Sequence, residues 1–125
     1  MQIVASVDSV HTLLVINTAP YDGERAYNAL RLATALSGAE AAVRVFLLGD
    51  GVLCGARRES PPDGATFNIE WMLQRLIAAG AEVVACRTCL ESRALLDERL
   101  VEGVHNSTLD CLTRWTLGSE RVLVF

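Results

Sequence analysis

Val83-Val84-Ala85-Cys86-Arg87-Thr88-Cys89-Leu90-Glu91-Ser92-Arg93 passes from an apolar run directly into two thiols with two residues between them. Glu82 to Ala85 is short and β-branched and follows Gly80, which fits a central strand of a parallel sheet. A strand covered on both faces loses the polar alternation of an edge strand. Cys86 then stands at the carboxyl end of that strand. In an open α/β sheet this rim is where ligands and reactive groups collect. The rest of the chain is therefore read as the scaffold that presents Cys86 and Cys89.

Working back from this stretch, Ile69, Met72, Leu73, Leu76 and Ile77 recur at helical spacing and stop at Gly80 in the manner of a glycine cap. Ala56 to Gly64 is polar with two adjacent prolines and predicts an exposed loop. Val43 to Leu48 is a second buried strand, running into Gly49-Asp50-Gly51 and then Val52 to Gly55. Ala26, Ala29, Leu30, Ala33 and Leu36 mark a helix from Glu24 to Leu36, with Gly38 as its stop. Thr12 to Ile16 is a strand, and Asn17 to Gly23 a cluster of turn formers. Residues before Thr12 either extend that strand or fray. In the other direction, Ala94 to Gly103 predicts a short helical turn and then a short strand. Ser107 and Asp110 have capping-box spacing, opening a helix with Leu109, Leu112, Thr116 and Leu117 inward and Gly118 as its stop. Val122 to Phe125 forms the last strand.

Strands and helices alternating with short links imply parallel pairing and right-handed crossovers. The expected fold is α/β, a three-layer α/β/α sandwich with a mostly parallel sheet of about five strands, and residues 1–125 form a single domain. Loops 17–23, 49–64 and 86–93 meet at its carboxyl rim.

Composition narrows the function. With 125 residues, 51% hydrophobic, the chain can close one core. A net charge of -4, with the eleven basic residues spread along the chain, gives no basic stripe for nucleic acid. No apolar run reaches the roughly 20 residues of a membrane helix. The start lacks a basic n-region, and Asp8 and His11 interrupt any signal-peptide core, so a cytoplasmic protein is expected.

A close thiol pair in a reducing compartment is more often catalytic, redox-active or metal-binding than structural. Amides at a helix start near Thr88 or Cys89, with Arg87 and Arg93, would hold one thiol ionised, ready to attack a disulfide, a persulfide or another electrophilic sulfur. Cys54 lies on the same rim or turns inward. Cys111, mid-helix, reads as packing. Zinc would need His11, His105, Cys54 or Cys111 to complete one CxxC at no recognised spacing, so no metal is expected. No cofactor is expected either, since Gly49-Asp50-Gly51 with Gly55 lacks the Gly-Lys-Ser/Thr ending of a phosphate loop. Thioredoxin-like chemistry fits less well, because the pair follows the third strand rather than the first.

Several blocks, in order, resemble the DsrE/DsrF-like family, especially its YchN-like branch. They are Asn17-Thr18-Ala19-Pro20-Tyr21, Glu24-Arg25, Tyr27-Asn28, Leu30-Arg31-Leu32-Ala33, Leu47-Leu48-Gly49-Asp50, Cys86 to Arg93, Trp115-Thr116-Leu117 and Val122 to Phe125. The resemblance implies a DsrE/F-like sandwich that assembles with itself as a trimer or hexamer, and a part in sulfur relay with donor and acceptor proteins. It places the sulfur-carrying cysteine on Cys86, with Cys89 as the second cysteine of the YchN-like motif. Arg93 and the loop from Asn17 to Tyr21 would shape the pocket, and Asp50 would help orient it. The chain departs from the family pattern at Arg87 and Ala94, where glycine is usual. The expected function is a persulfide carrier, a sulfurtransferase-like activity. The alternatives are an oligomeric small-ligand-binding protein and a dithiol/disulfide oxidoreductase.

Overall fold

The computed structural model describes residues 11–58 and 60–125, so the reading of the residues before Thr12 falls largely outside it. Strand β1 (His11–Ile16) is followed by helix α1 (Arg25–Gly38), β2 (Ala42–Leu47), a 3-10 segment (Gly49–Gly55) and α2 (Ile69–Ala78). Then come β3 (Glu82–Cys86), the short α3 (Arg87–Glu91), a 3-10 turn (Asp97–Arg99), β4 (Val104–Ser107), α4 (Leu109–Gly118) and β5 (Arg121–Val124). The five strands lie in the order β4-β3-β2-β1-β5, every neighbouring pair parallel. This is the expected three-layer α/β sandwich.

The chain steps in one direction from β1 to β4 and then crosses back to pair β5 with β1. Right-handed crossovers therefore put α1 and α2 on one face and α4 on the other. The register confirms the split. Leu14 pairs with Val45 and Ile16 with Leu47 on the α1/α2 side, while Val15, Phe46 and Val84 share a row on the α4 side. There the edge of Trp115 in α4 meets the Phe46 ring at 6.3 Å and 87°, an edge-to-face pair. Phe46, Leu13, Leu14, Ile16, Leu30, Leu47, Leu73 and Leu76 are fully buried, each stabilising the fold by about 1.5–3 kcal/mol. The direction reverses at β1, so the topological switch lies between the carboxyl ends of β1 and β5, on the same rim as the ends of β2 and β3.

Four sequence expectations need correction. The fourth strand is Val104–Ser107, and within Ala94 to Gly103 only the turn at Asp97–Arg99 is regular. Leu100 and Val101 are buried as a loop packed under the 3-10 segment, with Ala56 bridging Leu100, so apolar content alone mimicked a strand. Ser107 belongs to β4, and α4 starts from Thr108 with no side-chain cap bond, so the capping box does not form. The buried face of α4 is carried by Cys111, Leu112 and Trp115. Leu109 and Leu117 are 65% and 82% exposed, and Thr116 also faces out. The Trp115 contact with Phe46 sets the helix phase, and among the described residues no second helix lies beside α4 to cover the leucines. Finally, α1 runs through Gly38, and the left-handed residue that ends it is Glu40 at φ 68°, with the Ala41 amide donating to Leu36 at 3.0 Å. Helix α2, by contrast, ends on the glycine expected, Gly80 at φ 105°.

Candidate functional site

Three segments converge at the rim. Leu48 N donates to the Ile16 carbonyl at 2.9 Å, which seats the 3-10 segment on the end of β1. Gly51 makes this approach close: a β-carbon there would stand 1.8 Å from the Ile16 oxygen. Seated so, the segment aims the Gly49 amide at the third segment, and Gly49 N donates to Cys89 Sγ at 3.2 Å.

Cys86 is the last residue of β3 and the residue from which α3 starts. It is 5% exposed, and its Sγ lies 3.3 Å from Thr88 Oγ1. Burial raises the Cys86 thiol pKa, but hydrogen bonding from the Cys89 thiol and the Thr88 hydroxyl, with the Cys89 and Thr88 amides, outweighs it and leaves the thiol below the ordinary value of 9.0. Those amides face the sulfur without meeting strict capping geometry. Cys89 is half-buried. Its pKa is raised, by burial first and then by the Cys86 thiol it donates to, against the Gly49 amide and Arg93, which lower it. The two thiols are thus driven apart, Cys86 toward its ionised form and Cys89 toward its protonated form.

Arg93 ties the segments together. Its Nη1 donates to the Cys89 carbonyl at 2.9 Å, and its Nη2 pairs with Asp50 Oδ1 at 2.7 Å. The pair is partly exposed, so it is worth at most about 1 kcal/mol and serves to fix geometry. Arg87, at the start of α3, donates instead to Asn106 Oδ1 at 2.8 Å, away from the sulfurs.

Of the residues singled out from sequence, Cys86, Cys89, Asp50 and Arg93 come together. Asn17 joins them through Gly49, since a β-carbon on Gly49 would lie 3.7 Å from Asn17 Oδ1. Asn17 and Asp50 also line a neighbouring crevice of about 370 Å³ with Thr18, Asp22, Arg25 and Phe125. Tyr21 goes elsewhere: its hydroxyl accepts from Ile69 N at 3.0 Å at the start of α2, and its ring stacks on Phe67 at 5.6 Å. Cys54 is 1% exposed, its Sγ 3.5 Å from the Thr18 carbonyl, and burial pushes its thiol pKa up to about 12. Cys111 packs in the core. Thr88 and the Gly49 amide were not picked out from sequence. The available signal was position, a hydroxyl two residues after a strand-end cysteine that opens a helix. Among the described residues no three His, Cys, Asp or Glu side chains gather into a metal-binding group, and no helix is long and apolar enough to cross a membrane.

Comparison with known proteins follows the same outline. The sequence model of the DsrE/DsrF-like family matches residues 11–125. Protein YchN of Escherichia coli is 40% identical over 115 residues, covering 90% of this chain and 97% of its own length. An uncharacterized protein of Methanopyrus kandleri is 42% identical over 113 residues, covering 90% and 91%. The crystal structure of the E. coli YchN protein superposes with a TM-score of 0.86 at 39% identity, covering 93% of this chain and 99% of that one. A protein of unknown function from Methanobacterium thermoautotrophicum shares the fold at a TM-score of 0.74 and 16% identity.

Proposed function

Since this chain belongs to the DsrE/DsrF-like family, we propose that it is a sulfur carrier, one DsrE/F-like domain in which Cys86 accepts sulfane sulfur as a persulfide and passes it to a partner. The observation that supports this most is the setting of Cys86: a strand-end thiol held toward its ionised form by a hydroxyl, a second thiol and two amides. The thiolate is the nucleophile in sulfur exchange. It attacks the outer sulfur of a donor persulfide, a new S–S bond forms on Cys86, the donor's S–S bond breaks, and the donor leaves as a thiolate. An acceptor thiolate repeats the attack on the same outer sulfur and regenerates Cys86. No net oxidation occurs. Cys89, the more accessible of the two, supplies the proton that settles Cys86 between transfers. Arg93, Asp50, Asn17 and the Gly49 amide hold the three segments in register around it. A reducing cytoplasm is the compartment that keeps such a pair available.

The test is mass spectrometry after incubation with a sulfane-sulfur donor. The native protein gains about 32 Da, one sulfur atom; Cys86→Ser loses the adduct and Cys89→Ser keeps it. An adduct that survives in both single variants removes the proposal. The contact between the two thiols favours one other reading, a dithiol oxidoreductase. A stable Cys86–Cys89 disulfide with a defined potential, and no persulfide under the same donor, would select it.

We further infer that the chain assembles with itself as a trimer or hexamer. Support comes from the side of the sheet that one helix covers incompletely, where Leu109, Leu117, Val122 and Val124 stand exposed. Sedimentation equilibrium giving a monomer mass at micromolar concentration would refute this.

A further inference from the structure

The outer surface of the α1/α2 layer carries a feature that the thiol chemistry does not use. A groove of about 340 Å³ runs between the two helices, lined by Arg31, Thr34 and Ala35 from α1 and by Trp71, Met72 and Arg75 from α2. Trp71 is 54% exposed, although its ring could pack in a core. Arg75 lies over that ring at 4.9 Å, and Arg31 lies over Tyr27 at 5.3 Å, donating to Asn28 Oδ1 at 3.2 Å. Among the described residues three ion pairs form, and neither arginine is in one. Among the described residues no acidic side chain lines the groove, and α1 contains none. In a chain of net charge -4 this is a local inversion of sign around an apolar slot.

We propose that this groove docks a short acidic segment of a partner protein, one apolar side chain of which inserts beside Trp71 and Met72 while flanking carboxylates pair with Arg31 and Arg75. Exposed Trp and Arg are the residue types that dominate binding hot spots, because one gives a large rigid contact and the other a directional charged fork. Carboxylate pairing does not require either guanidinium to leave its ring. Charge complementarity selects the occupant: a basic segment would meet two cations, and a second copy docking groove to groove would oppose arginine to arginine across a two-fold contact. The inference stands apart from the sulfur chemistry, since none of the lining residues belongs to the rim around Cys86.

Fluorescence anisotropy with a labelled peptide, Asp-Glu-Glu-Leu-Phe-Glu-Asp, tests it, with the same peptide carrying Lys at every acidic position as control. The acidic peptide should bind saturably and weaken with added salt, and the Lys peptide should not. Trp71→Ala should weaken binding by about thirtyfold, and the pair Arg31→Glu with Arg75→Glu should abolish it. That pair also serves as the readout should Trp71→Ala fail to fold. Equal binding of both peptides, no saturation up to millimolar peptide, or unchanged affinity in the variants overturns the proposal. So does a loss of particle mass in Trp71→Ala, which would mean that a second copy fills the groove.

Discussion

Cys54 and Cys86 sit on the same rim, both buried, yet their thiols are driven in opposite directions. Cys54 is sealed in the core, its thiol donating to the Thr18 carbonyl 3.5 Å away. Around Cys86 there are donors: a hydroxyl, a neighbouring thiol and two amides. Burial raises both and is the whole cause at Cys54. At Cys86 it is outweighed, because the groups facing that sulfur donate hydrogen bonds to it.

The largest expected effect is the contrast itself. A thiol at about 12 is some three units above the ordinary 9.0, so at neutral pH its thiolate is about a thousandfold scarcer, and Cys86 lies on the other side of 9.0. The more basic thiolate is also the stronger nucleophile, which offsets about half of that ratio on a logarithmic scale. Iodoacetamide at pH 7.5 should therefore label Cys86 at least about thirtyfold faster than Cys54, read by peptide mass mapping. Comparable rates would break the contrast. The same difference has a stability sign. The folded state raises the Cys54 pKa, so its contribution is fully present below about pH 9 and is lost as pH climbs toward 12, at about 1.4 kcal/mol per pH unit. Urea unfolding should show that alkaline slope in the native protein, and Cys54→Ser, which does not titrate there, should flatten it.

Next in size is the 3-10 segment, which carries Cys54 and reaches Cys89 through the Gly49 amide. Gly51→Ala forces a β-carbon into the Ile16 carbonyl, a backbone atom that has nowhere to go without lifting the 3-10 segment from β1. A loss of about 3 kcal/mol or more is expected. Because the same segment buries Cys54 and points the Gly49 amide at Cys89, alkylation of Cys54 should also accelerate. An unchanged unfolding midpoint would show that the seating is not what fixes the rim. A smaller change comes from Thr88→Val, which removes the hydroxyl facing Cys86 and nothing from the core. The Cys86 pKa should move up and alkylation at neutral pH slow a few-fold, the worth of one partly exposed hydrogen bond of about 1 kcal/mol. Cys54 labelling should not respond, and a parallel slowing of both thiols would point to a general change in access.

The rim was readable from sequence where function depends on backbone topology, and obscure where it depends on which way a side chain turns. A β-branched run ending in Cys86 is enough to put that sulfur at a strand end, because strand period and parallel crossovers leave few alternatives. Arg93 was within reach as a cation close behind the thiol pair, whereas Asp50 came from the family resemblance and not from the residues themselves. Tyr21 sits in an equally good place by sequence, but its hydroxyl is taken by Ile69 N, a demand made by the start of a helix 48 residues away. Cys54 shows the same limit, since Val52 beside it is buried and Leu53 only partly so, and the turn of a 3-10 segment settles which way the thiol faces. In α4 the apolar positions gave the helix but not its phase, which the Trp115 contact with Phe46 sets.

The smallest effect sits just behind the reactive pair, where family likeness and backbone geometry meet. After α3 the Leu95 amide donates back to the Leu90 carbonyl at 3.0 Å and Ala94 takes φ 55°, the left-handed residue of a helix stop that usually carries glycine. An alanine there holds its β-carbon against the following carbonyl at a cost of about 1–2 kcal/mol. Glycine would remove that strain while adding about 0.5–1 kcal/mol of unfolded-chain freedom. The two terms nearly offset, so Ala94→Gly should stabilise the fold by about 0–1 kcal/mol. If Ala94 only closes the turn, Cys86 alkylation should be unchanged. If the β-carbon also presses Arg93 toward Asp50 and the Cys89 carbonyl, the rate at Cys86 should shift while Cys54 stays silent. A clear loss of stability would mean that the positive φ is relieved by packing around Ala94.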